Sequence, residues 1–212
     1  MRITVFGAAG NVGSRVVTEA LSRDHQVTAV VRRPARFPEL PAAAEARSGD
    51  AGTLEDVARL SAGQDVVISA IRPIPGRENE LVTAAKSTLA GVAGTRARLL
   101  VVGGAATLTV PGSGALAMDD PAFVPVAYRD IARACAGQFA ACQEVSDVDW
   151  AYLSPPARLE PGLRTGSYRL GADELLIDAA GNSAISMEDL AVALVDEAER
   201  PRHHRSRFTV AY

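Results

Sequence analysis

Only one of the 22 basic residues is a lysine, Lys86, and only two of the 212 residues are cysteines; long apolar runs are absent. Each shortage excludes something. Two cysteines cannot staple a disulfide scaffold. No stretch approaches the roughly 18 consecutive apolar residues of a membrane-crossing helix. The opening Met1-Arg2-Ile3-Thr4-Val5-Phe6-Gly7 already reads as a strand, where a signal peptide would need charged, apolar and cleavage regions in turn. The expected location is therefore the cytoplasm. A formal net charge of −3, from 22 basic and 25 acidic residues, gives no footprint for nucleic acid. His25, His203 and His204 are the only histidines, and no His/Cys/carboxylate grouping has metal-ligand spacing, so no metal is expected. Gly-x-Ser-x-Gly, the turn of a nucleophilic serine, is missing as well.

What is present is a folding chain, 48% hydrophobic, of a length that fits one domain spanning residues 1–212. Short apolar runs alternate with helical periodicity. Strands are predicted at 3–6, 26–32, near Ala46, at 65–71, 98–103, 148–154 and 207–212. Between them, helices are expected at 11–23, from Thr53 to Leu60, at 79–93, at 127–145 and after Ser186. Thr53-Leu54-Glu55-Asp56 and Ser186-Met187-Glu188-Asp189 resemble capped helix starts. The segment 104–122 reads as a long loop. Turn signals at Pro161-Gly162, Thr165-Gly166, Gly171 and Gly181-Asn182 predict short hairpins over 157–185. Alternation of this kind means an α/β fold, a doubly wound parallel sheet. Residues 155–185 would form a small substrate lobe over the carboxyl ends of its strands.

Between the first strand and the first helix stands Gly7-Ala8-Ala9-Gly10-Asn11-Val12-Gly13, spaced Gly-x-x-Gly-x-x-Gly. Gly7 permits a tight turn, Gly10 lets backbone approach a pyrophosphate, and Gly13 lets the helix pack close. The helix N-terminus then offers free N–H groups to phosphates, so Gly7, Ala9, Gly10, Asn11, Val12 and Gly13 are candidate dinucleotide contacts. A carboxylate at the end of the second strand would select NAD(H). Here stand Arg32, Arg33 and Arg36, which suit the 2′-phosphate of NADP(H). Asp50 and Ala51, after the third strand, would lie beside the adenine. Ala70, Ile71 and Arg72 end the fourth strand, where backbone passes the ribose and phosphates.

Short-chain dehydrogenases on this kind of sheet commonly use Tyr-x-x-x-Lys, the lysine lowering the tyrosine pKa. The tyrosine paired with Lys86 would be residue 82, which is Val82. Tyr128 occupies the expected place at the start of a helix, but Ala132 follows it four residues later and Arg133 five. The usual proton machinery for alcohol oxidation or epimerisation is therefore missing. Cys135 and Cys142, seven apart, share a helix face as small hydrophobes.

With these motifs the chain resembles the atypical short-chain dehydrogenases/reductases of the NmrA-like, NAD(P)H-binding fold. Within them it is similar to the bacterial NADH-flavin reductases, relatives of biliverdin reductase B (flavin reductase). The resemblance rests on the glycine turn, Val101-Val102-Gly103-Gly104-Ala105, Trp150-Ala151-Tyr152-Leu153-Ser154-Pro155, Pro161 to Arg169, Gly181 to Ala191, and Arg207-Phe208-Thr209-Val210. It implies that Gly103, Gly104, Ser154 and Pro155 flank the nicotinamide and that Arg32 and Arg36 hold the phosphate. The chain departs at Ala106, where biliverdin reductase B has a serine, and at Ala157, where it has a histidine. The implied function is an NADPH-dependent hydride transfer to a planar conjugated acceptor such as a flavin or quinone. Tyr128 and Thr107 are the candidate catalytic helpers, and Arg164 and Pro156 the candidate substrate contacts. The alternative is a non-catalytic NADP(H)-binding redox sensor of NmrA type. A small molecule is the expected partner, with no nucleic acid and no membrane, for a monomer or homodimer.

Overall fold

The computed structural model describes residues 1–212. The strands are β1 (Arg2–Phe6), β2 (Gln26–Val31), β3 (Glu45–Ser48), β4 (Val66–Ser69), β5 (Arg98–Val102), β6 (Trp150–Ser154), β7 (Arg158–Glu160), β8 (Arg169–Gly171), β9 (Ala184–Ser186) and β10 (Ser206–Ala211). The helices are α1 (Asn11–Ser22), α2 (Leu54–Ser61), α3 (Glu80–Val92), α4 (Arg129–Gln143) and α5 (Met187–Glu199). Eight strands make one sheet in the order β3-β2-β1-β4-β5-β6-β10-β8. All neighbours in it are parallel except β8, which runs antiparallel to β10 at the edge. No helix is long and apolar enough to cross a membrane.

Strands buried on both faces need apolar side chains at nearly every position, and the sequence supplies them. Ile3 and Val5 of β1 pack with Leu100 and Val102 of β5 into the core beneath α1 and α5. Phe6, Leu99 and Val101 point the other way, into the core covered by α2, α3 and α4. The period-2 alternation of strand side chains thus divides one sheet between two cores. The chain leaves β1 toward β2 and β3, then crosses back to place β4 on β1's other side. That reversal opens a crevice between the carboxyl ends of β1 and β4, the place where α/β sheets of this topology receive ligands.

Two local expectations are corrected. Hairpins do not form over 157–185: β7 pairs in parallel with β9, and β8 pairs with β10. The glycine turns are captured by carboxylates in the first turn of α5. Glu188 accepts the Gly162 N–H at 2.7 Å, and Asp189 accepts the N–H groups of Thr165 and Gly166 at 2.9 and 2.8 Å. The turn at Asp178–Asn182 does close on itself. Thr53 precedes α2 without a side-chain cap, whereas Ser186 caps α5 by accepting the Asp189 N–H at 3.0 Å. The segment 104–122 is the long loop expected, with one 3₁₀ turn at Ala117–Asp119, and part of it is buried. Ala106, Leu108 and Ala117 bury themselves with Val124, Ala132 and Leu175 in a small third core.

Candidate cofactor and acceptor cleft

A cleft of about 1480 Å³ runs along the carboxyl ends of β2, β1, β4, β5 and β6. Its middle is the glycine turn. Gly7 sits at φ +80°, and a Cβ there would lie 2.5 Å from the Ala70 carbonyl oxygen, so only glycine lets β1 turn against the end of β4. The Gly10 N–H closes the turn on the Gly7 carbonyl at 2.8 Å. At Gly13 a Cβ would overlap the same carbonyl, which makes Gly13 the point where α1 seats on the turn; Gly13 itself does not face the cleft.

Gly10 caps α1 without any side-chain hydrogen bond, and the first turn of α1 carries no acidic residue. The first turns of α2 and α5 do carry acids. An uncompensated helix N-terminus is a site for anions, and Ala9, Gly10, Asn11 and Val12 present it to the cleft.

Toward β2 the wall carries Arg32, Arg33 and Arg36. Arg36 holds Glu39 and donates to the Ala9 carbonyl at 2.9 Å. Its guanidinium and the Glu39 carboxylate each stabilise the other's charge: hydrogen bonding to Glu39 raises the arginine's pKa, and Arg36 lowers the glutamate's. Arg32 has Glu80 at 3.7 Å, and Arg33 has no carboxylate within reach. Asp50 and Ala51 line the same end. Asp50 accepts the Gly52 N–H and donates its own N–H to Asp56, which with Arg59 holds the Asp56 carboxyl below its ordinary range.

Ala70, Ile71 and Arg72 line the middle of the cleft, and Arg72 is exposed. Gly103 and Gly104 follow at the end of β5. A Cβ on Gly103 would sit inside the ring of Tyr152, and one on Gly104 would lie 2.8 Å from the Cys135 sulfur. Tyr152 is fully buried and donates its hydroxyl toward Gln138 and the Cys135 carbonyl, each at 3.0 Å. The two glycines thus let an aromatic ring and a thiol close the floor. Sequence reading missed this, although a Gly-Gly pair leaving a buried strand is a signal of close approach.

The far end carries Tyr128, Ile131, Phe123, Val124 and Pro125 on one wall and Pro155, Pro156, Ala157 and Arg158 on the other. Tyr128 precedes α4 and is 54% exposed, while Ala132, one turn on, is buried. Cys135 also faces the cleft, a place the sequence does not reveal. Burial pushes its thiol up to about 11, against the opposing charge of Arg72, so it is no nucleophile at neutral pH. Cys142, wholly in the core, is pushed up to about 12 by burial.

Besides Gly13, three expected site residues lie elsewhere. Arg164 turns outward to α1, where its guanidinium grips Glu19 with two hydrogen bonds of 2.7 and 2.8 Å. It helps hold that carboxyl below its usual range, together with Arg23 and against burial. Thr107 points away from the cleft and accepts from Arg207 at 2.7 Å. Ser154 is fully buried behind Pro155, its hydroxyl without a partner. Each displacement has the same cause: a stronger local partner or the strand's own alternation decides where the side chain goes.

Comparison with known proteins agrees with this geometry. A family model described as NAD(P)H-binding matches residues 7–201. A solved "putative exported protein" from Burkholderia pseudomallei is 40% identical, with a TM-score of 0.89, all of both chains being covered. A "putative epimerase" from Bacteroides thetaiotaomicron is 38% identical over all of this chain and 96% of its own, with a TM-score of 0.90. A "putative NADH-flavin reductase" from Streptococcus pneumoniae is 30% identical over all of this chain and 99% of its own, with a TM-score of 0.85. The bare N-terminus of α1, the close-packed glycine turn and the arginines beside it suit a nicotinamide dinucleotide. The chain belongs to the NAD(P)H-binding family, within the NmrA-like, atypical short-chain dehydrogenases/reductases.

Proposed function

We propose that the protein is an NADPH-dependent reductase that passes a hydride to a flat conjugated acceptor, a free flavin or a quinone. The observation that carries this is the makeup of the cleft's far end. Tyr128 has Ala132 where a lysine would activate it, and the walls around it are Phe123, Val124, Pro125, Ile131, Pro155 and Pro156. Such a site sandwiches a ring but offers little general acid–base chemistry. A conjugated acceptor needs little, because its ring system spreads the incoming charge and the proton follows from solvent.

Bound NADPH supplies the hydride. The chain's part is to bind, orient and exclude water. The free N–H groups of Asn11 and Val12 at the α1 N-terminus would hold the pyrophosphate, which the missing side chain of Gly10 lets approach, with Arg32, Arg33 and Arg36 at the 2′-phosphate and Asp50 and Ala51 at the adenine. Gly103 and Gly104 set the depth of the floor, and Pro155, Pro156 and Ala157 close the acceptor side. The likeness to a "putative NADH-flavin reductase" supports the same reaction class.

Steady-state oxidation of NADPH and NADH against a panel of flavins, quinones and enones tests both halves of the proposal. Turnover is expected with flavins or quinones. NADPH should outperform NADH in kcat/KM by about tenfold or more, since a charge-assisted contact contributes roughly 1.5–3 kcal/mol. In Arg33→Ala that preference should shrink. Equal use of both cofactors would remove the arginines from the account. NADPH left stable by every acceptor would make the protein a sensor of cofactor state instead.

A further inference from the structure

The cleft is positive in a protein whose formal net charge is −3: six arginines line it against three carboxylates. Arg32 and Arg77 share Glu80, and Arg36 holds Glu39. That leaves Arg33, Arg72 and Arg158 without a carboxylate partner. Arg33 stands at the end given above to the 2′-phosphate. Arg72 sits mid-cleft, near enough for its charge to act on the Cys135 thiol. Arg158 has no such role. Its strand, β7, follows β6, which lies three strand spacings, roughly 14 Å, from β1, so it enters the cleft wall from the end away from β2 and β3.

The backbone of Arg158 is fixed. Its N–H donates to the Ser183 carbonyl at 2.9 Å, its strand pairs with β9, and Ala157 beside it donates to the Ser183 hydroxyl. Its side chain is exposed on the cleft wall. No carboxylate forms an ion pair with it, Glu160, two residues along the same strand face, included. An unpaired guanidinium carried by a held backbone at the rim of an apolar slot matches a ring that carries an acidic tail.

We propose that Arg158 binds an oxyanion on the tail of the acceptor, so that the cleft prefers acidic planar acceptors, such as a flavin bearing a phosphate, over neutral ones. This rests on the reductase reading for the position of the ring. The test compares FMN with riboflavin, which share the ring and differ in the phosphate, by calorimetric titration into the NADP⁺ complex and by NADPH oxidation. FMN should bind about tenfold more tightly than riboflavin. Arg158→Ala should abolish the difference while leaving riboflavin and NADPH affinities unchanged, and Arg158→Lys should restore part of it.

Reduction of both flavins with no FMN preference would overturn the Arg158 assignment and leave the reductase reading standing. An Arg158-dependent preference in binding without any reduction would do the reverse. If neither flavin binds, the Arg158 assignment falls, and the reductase reading is decided by the quinones and enones of the panel. Loss of NADPH affinity in Arg158→Ala would assign the residue to the cofactor and overturn the proposal.

Discussion

Gly10→Val is expected to weaken NADPH binding at least about a hundredfold, through loss of several charge-assisted N–H contacts to phosphate, while the protein still folds. The space around Gly10 separates the two effects. A Cβ there meets only the Gly7 carbonyl, at 3.1 Å, so the fold gives by a few tenths of an ångström. The branched side chain would instead fill the region in front of Asn11 and Val12 where the helix N-terminus faces the cleft. Gly13→Ala is the contrasting case. Its methyl would overlap the backbone of Gly7 and force α1 off the turn, a clash costing about 3 kcal/mol or more and taking cofactor binding with it. Calorimetric titration with NADPH, beside thermal unfolding, distinguishes the variants. Normal NADPH affinity in Gly10→Val would place the pyrophosphate somewhere other than this turn.

The second large effect lies at the opposite end of the sheet. Arg98, at the start of β5, is buried and meets the buried Glu197 of α5 at 2.7 Å. Glu197 also accepts the N–H groups of Arg202 and His203 at 2.9 and 3.0 Å, and His203 stacks on Phe208 with ring centres 4.4 Å apart. Glu197→Ala would leave the buried Arg98 guanidinium with only the part-exposed Asp149 at 3.2 Å and backbone carbonyls, so it should cost about 3 kcal/mol, lowering Tm by roughly 10 °C. A loss below 1 kcal/mol would mean that water reaches Arg98 and that the pair is not sealed.

The same carboxylate sets a pH dependence. Burial alone would raise its pKa, but the Arg202 and His203 N–H groups and the Arg98 guanidinium outweigh it, and the carboxyl titrates below its ordinary range. A depressed carboxylate contributes stability that is present above its unfolded value and lost as pH falls through the folded one. Asp189 and Asp196 of α5 and Glu19 of α1 are also depressed. Unfolding should therefore be acid-driven, with stability falling once pH drops below the carboxylate range. Glu197→Ala should fall less steeply there.

The alternation of strands and helices and the glycine turn are legible in the sequence because both are written locally. Ile3 to Phe6 cannot lie at a surface, and Gly7, Gly10 and Gly13 have spacings that only a strand–turn–helix junction uses. Arg32, Asp50 and Ala70 share a cleft because parallel strands deliver their carboxyl ends to one edge. The hairpins over 157–185 could not be judged that way, since their turns are held by Glu188 and Asp189 from a later helix. Arg164 and Thr107 sit in the right stretches of chain, but their partners, Glu19 and Arg207, lie at least one hundred positions away in sequence. Tyr152 and Cys135 enter the cleft floor for the same non-local reason: glycines on another strand leave room for them.

The central claim is that hydride transfer here needs no protein acid, and one comparison tests it most directly. NADPH-loaded wild type and Tyr128→Phe are mixed with FMN without oxygen, and bleaching of the flavin is followed in a single turnover. Tyr128 is exposed, unpaired with any lysine, and the only phenol facing the cleft. The account predicts bleaching in both, at rates within about threefold, far inside the roughly 10²–10⁴-fold that general acid–base catalysis contributes. A hundredfold slower transfer in Tyr128→Phe, with NADPH affinity unchanged, would contradict it and make Tyr128 the proton donor in the transfer to flavin.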